Sequence, residues 1–329
     1  MKKPIGSISI YKLIFKRVLI AVPLLIGITL LSFIVMQLAP GEPGAMFLDP
    51  SMSAEDILQI RRNLGLDKPL IVQYGYWLIS IFKGNFGYSF STGKPVLSAI
   101  AERLPATLIL SLSSLVLILI LTFPLGLISG YKKGSRFDNL VTIFTFIGLS
   151  LPTFWLGLQL ILIFSLKLNL FPSSGFMDPL LNDSSFWQQG LSVMRHLFLP
   201  LLTILIGGLA GLTRYYRFGI IKILAEDYIK AASARGISIR RILFKHAFKN
   251  AALPIVTILG LSLPSLISGA FVIEYIFSWP GLGQLGIAAV FSRDYPVLMG
   301  TLFFSSLLII IGNLGADIAY RFIDPRIKK

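Results

Sequence analysis

The chain of 329 residues contains no cysteine, which excludes a disulfide framework, a thiolate metal site and a cysteine nucleophile. It has two histidines, His196 and His246, too far apart in sequence to form a zinc site by themselves. Charge is scarce as well, at 14% of residues, where soluble domains carry about 25%. No GxxxxGKS/T, HExxH or GxSxG pattern occurs, which removes the simplest nucleotide-binding and hydrolase readings. What remains is apolar: 55% of residues are hydrophobic and mean hydropathy is +0.79. That composition excludes an ordinary soluble enzyme and a disordered chain, but not a membrane enzyme.

The apolar residues are gathered into runs. Charge-free stretches extend over 18–39, 107–129, 140–166, 251–273 and 297–316. Most reach the length of about 20 residues that crosses a bilayer's hydrocarbon core. A shorter run, 197–212, gains length if Thr213, Tyr215 and Tyr216 sit at the interface while Arg214 snorkels. Lone strands would leave backbone groups unpaired in lipid, so all six runs are expected to be transmembrane helices. The first is preceded by Lys2, Lys3, Lys12, Lys16 and Arg17 but is too long for a signal-peptide core. The fold class expected is therefore an all-α membrane protein with six spans.

Basic residues orient it. Of the 30 lysines and arginines, 21 fall in the N-terminal segment, the 131–138 loop, the 213–250 loop and the C-terminal tail. Acidic residues run the other way, with only Asp138, Glu226, Asp227 and Asp324 on that side. The basic side is cytoplasmic, which places both termini there. The net charge of +15 is read as topology, with anionic lipid as its partner rather than nucleic acid. The expected organisation is a cytoplasmic segment 1–17, a first span 18–39, an extracytoplasmic cap 40–106, a core 107–320 and a tail 321–329.

The cap contains Ser53-Ala-Glu-Asp56, a capping-box pattern, before Ile57, Leu58, Ile60 and Leu64 and then Gly65, which predicts a short helix. A second amphipathic stretch runs over 69–82, followed by Gly84-Asn-Phe-Gly87-Tyr-Ser. The most informative segment is the inner loop 218–250. Glu226 and Asp227 open a helix, and Lys230 and Arg235 close it, in accord with the helix dipole. Between them Ala231-Ala-Ser-Ala234 is lined with small side chains, and Gly236 suits a left-handed C-cap. So slim a helix fits deep into another protein's cleft. Ser238 begins a second, amphipathic helix carrying Arg240, Arg241, Lys245 and Lys249, a pattern that also suits anionic headgroups.

These residues resemble a family. Tyr228-Ile-Lys-Ala-Ala-Ser-Ala-Arg-Gly236-Ile-Ser, with His246-Ala-Phe-Lys-Asn250-Ala and Pro254, is similar to the EAA loop of ABC importer permeases. More narrowly, it resembles the first permease of dipeptide, oligopeptide and nickel importers. Further matching segments are Leu38-Ala-Pro-Gly-Glu-Pro43, Leu64-Gly-Leu-Asp-Lys-Pro-Leu70, Gln73-Tyr74 and Gly84-Asn-Phe-Gly87-Tyr-Ser. They continue with Ser150-Leu-Pro-Thr-Phe154-Trp, Phe277-Ser-Trp-Pro-Gly-Leu-Gly283, Arg293-Asp-Tyr-Pro296 and Asp324-Pro-Arg326. Lys230 stands where the general EAA pattern has Glu, and no Leu-Pro follows Gly236.

The resemblance implies a type I importer permease that does no bond chemistry and binds no cofactor. ATP would sit on two cytoplasmic ATPase subunits, a second permease would complete the path, and an extracytoplasmic binding protein would deliver substrate at a bacterial inner membrane. Ala231, Ala232, Ala234, Arg235 and Gly236 would dock on the ATPase. Polar residues in or near the spans, Gln159, Glu274 and Asn313, are candidates for the substrate path, since such groups normally face a bundle interior or water. Gln37 belongs to the same class.

Other signals are discounted. Gly281-Leu-Gly-Gln-Leu-Gly286 matches GxGxxG but lacks the strand context of a dinucleotide site; it is expected to be a turn, with Trp279 at headgroup depth. Gly126 with Gly130, and Gly207 with Gly211, suit close helix approach. Pro152, Pro254 and Pro264 are expected to kink or end helices. An ion-gradient-driven secondary transporter would favour midplane carboxylates and inverted-repeat halves, and the sequence offers neither. An intramembrane enzyme would need a paired acid–base set at depth, which is also missing.

Overall fold

The computed structural model describes residues 10–38, 55, 59, 65, 67–248, 250–252, 255 and 270–323. The regular secondary structure of the described residues is helical, and their only β pairing is an isolated antiparallel bridge between Tyr88 and Pro95. The long helices are α1 (Ile10–Leu38), α3 (Val96–Tyr131), α6 (Phe186–Leu224) and α10 (Tyr295–Ile323). Each holds a segment long and apolar enough to cross a membrane. Between them lie α2 (Leu70–Phe82), α4 (Arg136–Ser150), α5 (Thr153–Leu160), α7 (Asp227–Ala234), α8 (Ile239–Arg241) and α9 (Leu282–Ser292). The expected helix over 53–64 and most of the 251–273 span lie outside the described residues.

One expected span is not a single rod. Within the charge-free run 140–166, α4 and α5 meet at an angle of 104°, at one of the prolines expected to kink or end a helix. The reason is local. Pro152 disfavours helical geometry at Leu151, which is extended at φ −90°, ψ 128°, so α4 ends and α5 starts afresh. α5 then loosens into a π-helix, Ile161–Lys167. The 197–212 run is the middle of the much longer α6, which carries Pro200 inside it. Tyr216, expected at the membrane interface, is fully buried.

The chain divides into two compact units. The first comprises Met1–Ile14, Leu108–Trp279 and Ile311–Lys329. Its helices approach through glycines. A Cβ on Gly126 would meet Tyr216 Cδ1 at 2.7 Å, one on Gly130 would meet Ile220 at 2.8 Å, and one on Gly148 would meet Ala210 Cβ at 3.0 Å. The tightest site is Gly208, where a Cβ would fall 2.4 Å from Ile118 Cδ1. Gly207 and Gly211, singled out in the sequence, make only ordinary approaches to Thr153 and Leu149.

The second unit comprises Phe15–Thr107 and Pro280–Ile310. Here the segment after α2 folds into a tight turn closed by the Tyr88–Pro95 bridge, and the buried Asp294 carboxylate holds it. Asp294 Oδ2 accepts from Ser89 Oγ, from Ser91 Oγ at 2.8 Å and from Ser91 N–H at 3.1 Å. The GxGxxG segment is mostly helix: Gly281 is the N-cap of α9, and the Leu282 N–H donates to Thr107 Oγ1 at 2.8 Å.

Candidate functional site

The segment that carries the Ala-rich helix begins where α6 ends. The chain turns at Ala225, Glu226 takes the N-cap position in extended geometry, and α7 runs for eight residues. Asp227 in the first turn complements the helix dipole, and Lys230 Nζ meets Asp227 Oδ1 at 2.9 Å. Both side chains are largely exposed, so this pair contributes little to stability. Ile229 alone on α7 is buried, at 4% exposure. It anchors the helix and leaves the rest of its surface outward.

The C-terminus of α7 is a Schellman motif. The Gly236 N–H donates to Ser233 O at 2.9 Å and the Ile237 N–H to Ala232 O at 3.2 Å. Gly236 has φ +76°, a region costly for a side chain with a Cβ. Ala231, Ala234, Arg235 and Gly236 are exposed, and Ala232 is half-buried. The five residues named from the sequence therefore sit on one turn and its cap. A Cβ on Gly236 would touch nothing within 4 Å, so its role is conformational rather than steric.

Behind α7 lies packed support. Leu127, Tyr216, Ile220, Ala247, Ala251 and Ile255 form a buried cluster, with Phe123 and Phe248 against it. Phe123 meets Tyr216 edge-on at 5.2 Å between ring centroids, and the Tyr216 hydroxyl donates to Phe248 O at 3.4 Å. Asn250 Nδ2 donates to Tyr228 Oη at 3.3 Å, so the His246–Asn250 motif touches the start of α7 directly. The stretch after Ser238 is α8 followed by a π-helix, Ile242–Ala247, with Ile242 and Ala247 buried and Arg240, Arg241 and Lys245 exposed. A wide helical turn of this kind departs from the regular amphipathic helix expected there.

One feature of this support was not legible from the sequence. The Asp138 carboxylate takes Arg217 in a two-point contact, through Nε and through Nη2 at 2.7 Å from Oδ2. Ser129 Oγ also donates to it, as does the Gly134 N–H at 2.8 Å. Arg217 is seven residues before the end of α6, so the 131–138 loop is tied to the helix that feeds α7. Charge pairs formed across a fold leave no periodic signal in a sequence.

The candidate path residues are dispersed. Glu274 is fully buried near the end of the 270–276 helical stretch, Gln159 is half-buried on α5, and Asn313 is half-buried on α10. Trp279, expected at headgroup depth, is instead enclosed, 4.8 Å from the Phe176 ring. A separate concavity of about 510 Å³ opens between the 168–181 loop and the start of α6, lined among others by Ser165, Asp178, Arg195 and His196. Among the described residues no group of three or more His, Asp and Glu is placed to hold a metal ion.

A helical chain with several membrane-crossing helices and a slim, exposed short helix on a packed base defines a multi-pass membrane protein. Residues 122–329 match the family described as binding-protein-dependent transport system inner membrane component, and residues 10–112 match that family's N-terminal region. The chain belongs to this family and is a multi-pass protein of the bacterial inner membrane. It is 43% identical over 316 residues to the oligopeptide transport system permease protein AppB of Bacillus subtilis (strain 168), covering 96% of this chain and 98% of that protein. It is 37% identical over 316 residues to a putative peptide transport system permease protein of Brucella abortus (strain 2308), with the same coverage. Among solved structures, a chain of the MetNI methionine ABC transporter in inward-facing conformations aligns with TM-score 0.55 and 16% identity. The alignment covers 69% of this chain and 97% of that one, and indicates a shared fold.

Proposed function

We propose that this chain is a permease subunit of a bacterial ABC importer for peptides, forming the translocation path with a second, different permease. The observation that carries this reading is α7 itself. It is an eight-residue helix with small exposed side chains, anchored by Ile229 and aimed by a Schellman cap at Gly236. Ala231, Ala232, Ala234, Arg235 and Gly236 dock in a groove of a cytoplasmic ATPase. Closure of two such ATPases on ATP moves α7 as a rigid lever, and the base of α3, α6 and the 242–255 segment carries that motion to the spans. Bond chemistry stays on the ATPases; this chain supplies shape and mechanical continuity.

The full topology belongs to the same proposal. Six spans, with the 251–273 run as the fifth, place both termini and the 218–250 loop in the cytoplasm and the 40–106 cap outside. An extracytoplasmic binding protein delivers the substrate to that outer face. Peptide as the substrate class is supported by the printed names of relatives aligned along nearly the whole chain. Gln159, Glu274 and Asn313 are the residues proposed to line or support the path.

The experiment is co-purification of the tagged chain in mild detergent. The expected result is recovery of a second permease and two ATP-binding subunits, with the ATPases lost when Ala231 and Ala234 are replaced by tryptophan. Recovery of the chain alone, active as a transporter, would overturn the reading.

A further inference from the structure

We infer that helix α2 is embedded in the lipid of one leaflet, with its outward face against acyl chains and not against water or another protein. The leaflet, the outer one, follows from the orientation proposed above; the embedding does not depend on it.

The inference starts from depth. Tyr295 opens α10 directly after the charged pair Arg293 and Asp294, and its hydroxyl donates to Met36 O at 2.8 Å. Met36 therefore marks the level at which these helices leave the hydrocarbon. The Tyr74 hydroxyl donates to Ile26 O at 3.1 Å and lies 3.0 Å from Thr29 Oγ1. Ile26 is ten residues before Met36 on the same helix, a drop of about 15 Å at 1.5 Å per residue. A hydrocarbon core is about 30 Å thick, so Tyr74 reaches the middle of the membrane. A tyrosine side chain covers only part of that drop, so the backbone of α2 is itself below the surface. Phe33, Met36, Tyr74 and Met299 form a buried cluster, with Trp77 and Leu78 against it, which fixes the helix at this level.

Composition and exposure agree. α2 has no charged residue from Leu70 to Phe82; of its flanking cations, Lys83 can snorkel to the headgroups, and Lys68 lies over the Tyr76 ring at 4.4 Å. Its thirteen residues span about 20 Å, too short to cross. Opposite Tyr74 it shows Val72 at 39% exposure, Tyr76 at 55% and Ile79 at 54%, and at its two ends Ile71 at 86% and Phe82 at 76%. Val72, Tyr76 and Ile79, at spacings of four and seven residues, form one helical stripe. On α1 itself, Leu31 and Val35 are 65% and 66% exposed on a helix apolar enough to cross the membrane. Lipid that covers α1 at the depth of Ile26 to Met36 also meets the outward side of α2.

The absence of cysteine makes the test direct, because this chain adds no background label of its own and the co-purified complex without an introduced cysteine serves as the blank. Ile71→Cys and Ile79→Cys, each carrying a nitroxide, are compared with Leu31→Cys on the lipid face of α1 and with Thr92→Cys in the exposed turn. The full chain, with its co-purifying subunits, is reconstituted in vesicles of phosphatidylethanolamine and phosphatidylglycerol. Accessibility to oxygen and to a water-soluble nickel chelate is read from the spin label. The expected result at both α2 positions is an oxygen-to-nickel ratio severalfold above that at Thr92 and equal to that at Leu31. A ratio like that of Thr92 would overturn the inference in favour of a water-exposed cap. Protection from both reagents would overturn it in favour of a protein partner. Neither failure touches the importer reading, which the ATPase co-purification tests separately.

Discussion

Asp138 and Arg217, 79 residues apart, are locked together in a two-point ion pair in which the aspartate side chain is 2% exposed and the arginine 15%. The pair fastens the turn between α3 and α4 to the last turns of α6. Because α6 leads directly into α7, it stiffens the base on which α7 stands. Removing one partner leaves the other charge buried and uncompensated, at a cost of about 3–5 kcal/mol. Asp138→Ala is expected to lower the melting temperature of the purified protein clearly, and adding Arg217→Met is expected to restore much of it. Unchanged melting in the single variant would show that the pair is solvated.

Gly208 faces Ile118 where α6 packs on α3. Its missing side chain is what admits Ile118 Cδ1, which a Cβ would meet at 2.4 Å. Gly208→Ala is expected to cost about 1 kcal/mol, the low end for overpacking, because the atom it meets is the tip of a flexible side chain. Ile118→Val, which deletes that methyl, costs about 0.5–1.5 kcal/mol alone. Together the two are expected to cost less than their sum, because each relieves the other. Strict additivity of the melting shifts would contradict this packing.

The turn over residues 88–95 hangs on Asp294. One carboxylate oxygen collects three donors from Ser89 and Ser91, and the other faces the Val297 N–H at 3.4 Å. Asp294→Ala is expected to raise amide exchange in residues 88–95 and at the first turn of α10 while leaving α6 unchanged. Protection that stays at the wild-type level would assign the turn's order to its own bridge.

Gly236 tests the lever. A β-branched residue at φ +76° costs about 1–2 kcal/mol locally and breaks the cap, with no packing loss because the site is open. Gly236→Val is expected to insert in the membrane normally but to lose coupling between ATP hydrolysis and uptake. Gly236→Asn, which tolerates the left-handed region, is expected to retain more. Full uptake by the valine variant would remove the lever role.

The sequence revealed what local chemistry decides. Runs of apolar residues marked the four crossing helices, Gly236 declared its cap, and Pro152 declared a break. It concealed what depends on neighbours. Tyr216 reads as an interfacial tyrosine, yet Leu127, Ile220 and Ala251 enclose it. Gly207 and Gly211 carry the small-residue spacing, but the helix rotation puts Gly208 at the contact. The 104° turn at Leu151–Pro152 needed geometry, because a proline predicts a break and not its angle. α2 reads as an amphipathic stretch of a cap, and only the bond from Tyr74 to Ile26 reveals its depth.

The central claim is that this chain passes solute only when ATPases drive it. The most direct measurement is uptake of a labelled peptide into vesicles holding the co-purified complex, with the binding protein added outside and ATP within. The account predicts uptake that requires both, and that stops in Gly236→Val while the protein remains in the membrane. Uptake by the chain alone, driven by an ion gradient without ATP, would contradict it.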